Sequence, residues 1–159
     1  MQVKDIMGCN VRSVKSDTSL MEVVSLMCLY RYSGLPVVDD QGKLAGFIAE
    51  KDVLARMFPS LEDLMGVEGG LASVDMDEMM GRYKEVVRLK VSDLMTRGAI
   101  STTPDAHILR AASVMARHKF RRIPVTDGGK LVGMISMGDV HKAIFKVNVA
   151  DAVASLQVL

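Results

Sequence analysis

Toward the end of the sequence, Gly133-x-x-Ser136-x-x-Asp139 sets a hydroxyl and a carboxylate three residues apart, where an apolar strand pattern gives way to a helical one. Three residues along a helix start bring both groups to one side. A carboxylate there can accept hydrogen bonds from both hydroxyls of a ribose, while the serine and the first-turn amides suit an anion. The same spacing approximates a capping box, in which Ser136 and Asp139 only begin the helix. Either role satisfies the pattern. Just upstream, Arg121-Arg122 precede the short run Ile123-Pro124-Val125. Guanidinium donors are planar and match phosphate oxygens, so the pair can hold the charged end of a nucleotide. Neighbours on an extended backbone point oppositely, so one of the two meets a given ligand; a solvated charge cluster is the alternative.

No catalytic set accompanies these residues. His107, His118 and His141 are scattered without metal-ligand spacing, and no nucleophile motif, phosphate loop or acid-base pair of carboxylates is present. Cys9 and Cys28 lack CxxC spacing and read as reduced, partly buried thiols, which fits a cytoplasmic protein. A net charge of +1, with Lys119 to Arg122 the one dense basic run, argues against a nucleic-acid surface. No leader pattern opens the chain and no apolar run nears the roughly 18 residues of a membrane span, so a soluble, unexported protein is expected.

What positions these residues is a duplication. The stretch Val3 to Val53 reappears as Val91 to Val140, one residue shorter in the turn before Lys130. Asp52 answers Asp139, but Ala49 replaces Ser136, and Ser33-Gly34 replace Arg121-Arg122. Alanine offers no side chain to a phosphate, so the two copies predict unequal sites. The stronger belongs to the second copy. Asp52 supports a weaker one, suited to a ligand without phosphate.

Each copy reads as strand, helix, strand, strand, helix. In the first, Asn10 to Val14 is extended, and Leu20, Val23, Val24 and Met27 recur at helical spacing after a cap at Ser19 with Glu22. Leu35 to Val38 is a strand with a proline at its opening, Asp39 to Gly42 a hairpin turn, Leu44 to Ile48 the partner strand, and a helix then runs to Phe58, stopped by Pro59. The second copy repeats this with Ile108, Ala111, Ala112 and Met115 on one helix face and a tighter turn at Asp127-Gly128-Gly129.

The expected domains are a first repeat over 1–59, a helical insert over 60–90, a second repeat over 91–147 and a helical tail over 148–159. In the insert, Ser60-Leu-Glu-Asp63 and Asp75-Met-Asp-Glu78 read as helix starts separated by Gly66, Gly69 and Gly70. Met76, Met79 or Met80, Tyr83 and Val87 form a stripe that packs on the core or on a second copy, with a regulated partner surface as the alternative. Asn148 reads as the cap of a tail helix with Val149, Val153 and Leu156 on one face and Asp151 in its first turn. At 159 residues and 49% apolar content, two repeats too small to bury their faces alone are expected to share a core and leave clefts between them.

The ordered set Asp5-Ile6-Met7, Leu35-Pro36-Val37-Val38-Asp39 and Gly46-x-x-Ala49-x-x-Asp52, then Asp93-Leu94-Met95, Ile123-Pro124-Val125 and Gly133-x-x-Ser136-x-x-Asp139, resembles a tandem pair of CBS domains. The resemblance implies an α/β (α+β) fold of two beta-alpha-beta-beta-alpha repeats associated pseudo-symmetrically through their sheets, with modules pairing as homodimers. It implies a regulatory, energy-sensing module that binds AMP, ADP, ATP or S-adenosylmethionine and signals to a regulated protein in trans, with no enzymatic activity. By position, Asp139 would hold the ribose, Ser136 lie near ribose or phosphate, and Arg121 or Arg122 meet phosphates. Ile100, Ser101 and Thr102 with Ile123 and Pro124 would surround the adenine. A dimerisation module that binds no ligand is the alternative.

Overall fold

The computed structural model describes residues 1–60, 65 and 75–156, with side-chain surroundings as far as residue 149. Ser19 Oγ accepts the Glu22 N–H at 3.3 Å and starts α1 (Leu20–Tyr30), whose Leu20, Val23 and Met27 are buried. The chain leaves α1 through Arg31 in the left-handed region and enters β1 (Gly34–Val38), buried along its whole length. A turn at Gly42 leads to β2 (Leu44–Ala49) and α2 (Glu50–Ala55). After the insert helix α3 (Met76–Val86) come α4 (Val91–Leu94) and β3 (Thr96–Arg97). The second copy supplies α5 (Ile108–His118), β4 (Arg122–Asp127), β5 (Lys130–Ser136) and α6 (Met137–Leu156). Gly128 and Gly129, at φ 55° and 82°, supply the two positive-φ residues of a tight hairpin between β4 and β5.

The chain forms two compact units. Unit 1 holds Met1–Val11, Gly42–Leu44 and Ala99–Leu159; unit 2 holds Arg12–Gln41 and Ala45–Gly98. In unit 1, Val3 is buried with Ile108, Ala111, Met115, Ile123, Val125, Ile135 and Val140. In unit 2, Val86 and Val91 are buried with Leu20, Val23, Met27, Leu35, Val37 and Ile48. The leading segment of each copy therefore completes the core of the other copy's hairpin.

The sheets follow the same exchange. Gly8 and Met134 donate to each other's carbonyls at 2.9 Å, which extends β5 of unit 1. In unit 2, β3 extends β2, with Gly46 opposite Arg97 and Phe47 opposite Thr96. This close approach explains the glycine of each G-x-x-[S/A]-x-x-D pattern. A Cβ on Gly133 would stand 2.9 Å from Gly8 O and 2.8 Å from Met7 Sδ, and one on Gly46 would overlap Thr96 O. Gly133→Ala and Gly46→Ala are each expected to lose about 1–3 kcal/mol of stability, read from the urea midpoint. Gly81→Ala is the control: it lies within α3 with open space around its Cβ position, so it should leave the midpoint unchanged or raise it.

Several local expectations shift. Pro36 and Pro124 each sit third in their strands, not first. The extended piece at Asn10 to Val14 pairs through Val14 alone, a parallel bridge to Val37. α2 ends at Ala55 and reaches Phe58 through a turn. Asp75 caps α3 as expected, accepting from Asp77 N–H and Glu78 N–H. Met79 and Val86 are its buried side, continued by Val87 just past its end, whereas Met76 and Met80 are exposed. Cys9 and Cys28, expected to be partly buried, are both exposed. With no glycine or proline to stop it, α6 runs through Asn148, whose side-chain amide donates back to Ile144 O at 2.8 Å instead of capping a new helix. The expected helix start after Ser60, the glycines Gly66, Gly69 and Gly70, and the side chains of Asp151, Val153 and Leu156 lie outside the described residues.

Candidate functional site

Unit 1 gathers the expected residues at one end of its sheet. In the β4–β5 ladder Arg122 is opposite Ser136, Ile123 opposite Ile135 and Pro124 opposite Met134. Because side chains alternate, Arg122, Pro124, Met134 and Ser136 share one face, and buried Ile123 and Ile135 share the core face. Arg121 stands just before β4, and its carbonyl accepts the N–H of Met137, the first residue of α6, at 2.9 Å. Both arginines are exposed, with no ion pair among the described residues.

Ser136 and Asp139 meet directly. Asp139 Oδ2 accepts from Ser136 N–H at 2.9 Å and from Ser136 Oγ at 2.6 Å, and Asp139 N–H donates to Ser136 Oγ at 3.1 Å. This is a capping box built on a half-buried carboxylate. Unit 2 shows how much of it the turn requires. There, Ala49 N–H donates to Asp52 Oδ2 at 2.8 Å, and α2 starts without any hydroxyl. The aspartate alone thus fixes the turn, and the Ser136 hydroxyl is surplus to that task. All bonds to the Asp139 carboxylate use Oδ2, which leaves Oδ1 directed to no protein donor among the described residues.

The prolines explain the third wall. Thr102 N–H donates to Pro124 O at 3.0 Å, and Thr126 N–H donates to Thr102 O at 2.9 Å, so residues before Thr102 run parallel to β4. The next rung of this parallel ladder would join the nitrogen of residue 124 to the carbonyl of Ile100. Proline carries no N–H there, so the pairing stops after one bridge. Ile100 is left half-buried beside the Arg122 end, with a carbonyl that accepts no backbone bond among the described residues. Such a carbonyl can accept from an exocyclic amino group. Thr102 has spent its backbone groups on β4, and Ser101 Oγ lies 3.2 Å from Thr126 Oγ1. The residue types around Ile100 carry no signal for the interrupted ladder, which depends on which edge of β4 the proline nitrogen faces.

Unit 2 repeats the skeleton with different chemistry. Val14 N–H donates to Pro36 O, Val38 N–H to Val14 O, and Glu50 N–H to Ser33 O, at 3.0, 2.9 and 3.0 Å. The Phe47 ring lies against Gly34, where a Cβ would overlap it. The position that Arg122 takes in unit 1 is therefore closed in unit 2 by an aromatic ring. No group of three or more His, Cys, Asp or Glu among the described residues is placed to hold a metal ion, and no helix there is long and apolar enough to cross a membrane.

The chain is similar to known proteins over most of its length. The CBS domain family model matches residues 3–58 and 91–146. An uncharacterized protein of Methanocaldococcus jannaschii is 33% identical over 91% of this chain and 91% of its own length. The chloroplastic CBS domain-containing protein CBSX2 of Arabidopsis thaliana is 30% identical over 87% of this chain and 60% of that one. The crystal structure of CBSX2 in complex with AMP superposes with a TM-score of 0.70 at 28% identity, covering 92% of this chain and 97% of that chain.

Proposed function

The chain belongs to the CBS domain family, with two copies of the domain in tandem, and from that premise we propose that it is a regulatory module whose unit 1 binds an adenosine-containing ligand. In this proposal Asp139 Oδ1 accepts from the ribose diol and Ser136 turns its hydroxyl to ribose or phosphate. Arg122, with Arg121, takes the phosphate. The adenine lies against Ile100, Ser101, Thr102, Ile123 and Pro124, with its amino group toward the Ile100 carbonyl. AMP, ADP, ATP and S-adenosylmethionine all fit this scheme in class. The observation that carries it is the Ser136 hydroxyl, a group the turn does not need, joined to a carboxylate with one oxygen to spare. The AMP complex of CBSX2 supports the choice of ligand class.

The module acts without catalysis. Ligand biases the conformational equilibrium of the chain and so changes its affinity for a regulated protein on another polypeptide, reporting cellular energy state. It works as a cytoplasmic homodimer, and Asp52 in unit 2 serves a weaker second position. The closed hydrogen-bond cluster at Ser136 and Asp139 favours a second reading, an interaction module in which both residues only cap α6.

Thermal unfolding across AMP, ADP, ATP and S-adenosylmethionine separates the two. A ligand at a hundredfold excess over its Kd adds about 2.7 kcal/mol, or roughly 5–11 °C in midpoint for a chain of this size. A shift of that order with at least one of the four is expected. No shift with any of them at millimolar concentration leaves the interaction module.

A further inference from the structure

Unit 2 lacks a cation on β1, yet it has one on the neighbouring segment that bridges to β1 through Val14. Arg12 occupies the position that Ile100 takes in unit 1: two residues before the bridged residue, Val14 or Thr102, and beside the proline that ends the ladder. Pro36 offers no N–H to the Arg12 carbonyl, so this residue too is released from β1 at the end where Ser33, Gly34, Ala49 and Asp52 meet. Its side chain is exposed but held. The guanidinium carbon stands 3.9 Å from the centre of the Tyr30 ring, and Tyr30 stacks on Tyr32 at 5.7 Å. In unit 1 the equivalent stack is His118 on Phe120, with Ile100 rather than an arginine nearby in sequence register.

The ring covers one face of the guanidinium and leaves its in-plane N–H donors for another partner. No carboxylate pairs with Arg12 among the described residues. A guanidinium is a donor only, so it cannot accept from the amino group of adenine. It matches a base edge that offers two acceptors, as the O6 and N7 of a 6-oxopurine do. At this same end, where unit 1 carries Arg122 on the strand itself, unit 2 presents the Phe47 ring over Gly34.

We propose that Arg12 is the specificity-determining residue of a second ligand position in unit 2, and that it selects a 6-oxopurine nucleoside there in place of adenosine. The inference rests on the proposed nucleoside-binding role of the sheet end, with Asp52 holding the ribose as Asp139 does in unit 1. It makes the two copies sensors of different purines.

Inosine and adenosine are the probes, since they differ at the purine 6-position and carry no phosphate. Isothermal titration of the Asp139→Ala protein, in which unit 1 is disabled, is expected to show inosine binding about tenfold or more tighter than adenosine. Arg12→Ile, which copies unit 1, should reverse that order, and Arg12→Lys, which keeps the charge but not the planar fork, should abolish the preference. Asp52→Ala added to Asp139→Ala should remove binding of both nucleosides. Equal affinities in the Asp139→Ala protein, or a preference for inosine that survives Arg12→Ile, overturns the assignment. If the wild type binds an adenosine compound but Asp139→Ala binds neither nucleoside, the second position does not exist, and the proposed function of unit 1 stands. If the wild type binds no adenosine compound, it is the proposed function that fails, while inosine binding that depends on Arg12 would still support the inference.

Discussion

In the Asp139→Ala protein, AMP is expected to raise the unfolding midpoint by about 1 °C or less, against roughly 5–11 °C for the wild type at a hundredfold excess over its Kd. The carboxylate would accept two hydroxyl donors from the ribose, and hydrogen bonds to a charged group are worth about 1.5–3 kcal/mol each. Losing both weakens binding by at least roughly a hundredfold and consumes the excess. The substitution has a second effect that must be kept apart. Asp139 also holds the N–H and hydroxyl of Ser136, so its loss lowers the ligand-free midpoint by the worth of a helix cap, about 1 kcal/mol. Asp52→Ala supplies the control, because Asp52 makes the same bond to Ala49 N–H. Both variants should lose similar stability without ligand, and only Asp139→Ala should lose most of the response to AMP. If the two responses to AMP fall equally, the sites are not unequal; if neither falls, Asp139 is a cap and nothing more.

Arg122→Gln should separate nucleotide from nucleoside. Arg122 shares its sheet face with Ser136, whereas Arg121 lies outside the ladder and is tied to the start of α6 through its carbonyl. Removing the guanidinium at 122 is expected to weaken AMP by roughly 10- to 100-fold and leave adenosine within about twofold. The wild-type preference for AMP should also shrink as salt rises, since both arginines are solvent-exposed. Titration calorimetry with AMP and adenosine at two ionic strengths reads both effects. An unchanged ratio of AMP to adenosine affinity would show that the phosphate lies elsewhere.

Much of the fold is visible in the residues themselves because the chain repeats its own pattern. Two copies of a short apolar strand after an amphipathic helix leave little freedom in assigning α1, β1 and β2 or α5, β4 and β5. The glycine and aspartate at matched positions mark where each second strand ends. Less legible is whatever depends on partners far along the chain. Gly46 and Gly133 fall inside strand patterns, and their reason is the backbone of Thr96 and Gly8 lying against them. Val3 and Val91 read as the start of their own copies, yet each is buried in the core of the other. The proposed chemistry is legible where a side chain would carry it, as with Ser136, Asp139, Arg121 and Arg122. It is hidden where a missing N–H carries it, as at Pro36 and Pro124, or where a ring closes a position, as Phe47 does over Gly34. Arg12 escapes notice in the sequence because nothing local ties it to Tyr30.

The exchange of leading segments also sets the order in which the protein can be completed during synthesis. Residues 1–11 belong to unit 1, whose remaining strands and helices lie beyond residue 99. At translation speeds of about 5–20 residues per second, that early piece waits on the order of ten seconds for its partners to leave the ribosome. Unit 2 in turn needs residues as late as Gly98. Neither core can therefore close until the chain has grown past Gly98, and a gene cut at the repeat boundary encodes two fragments that each lack part of a core.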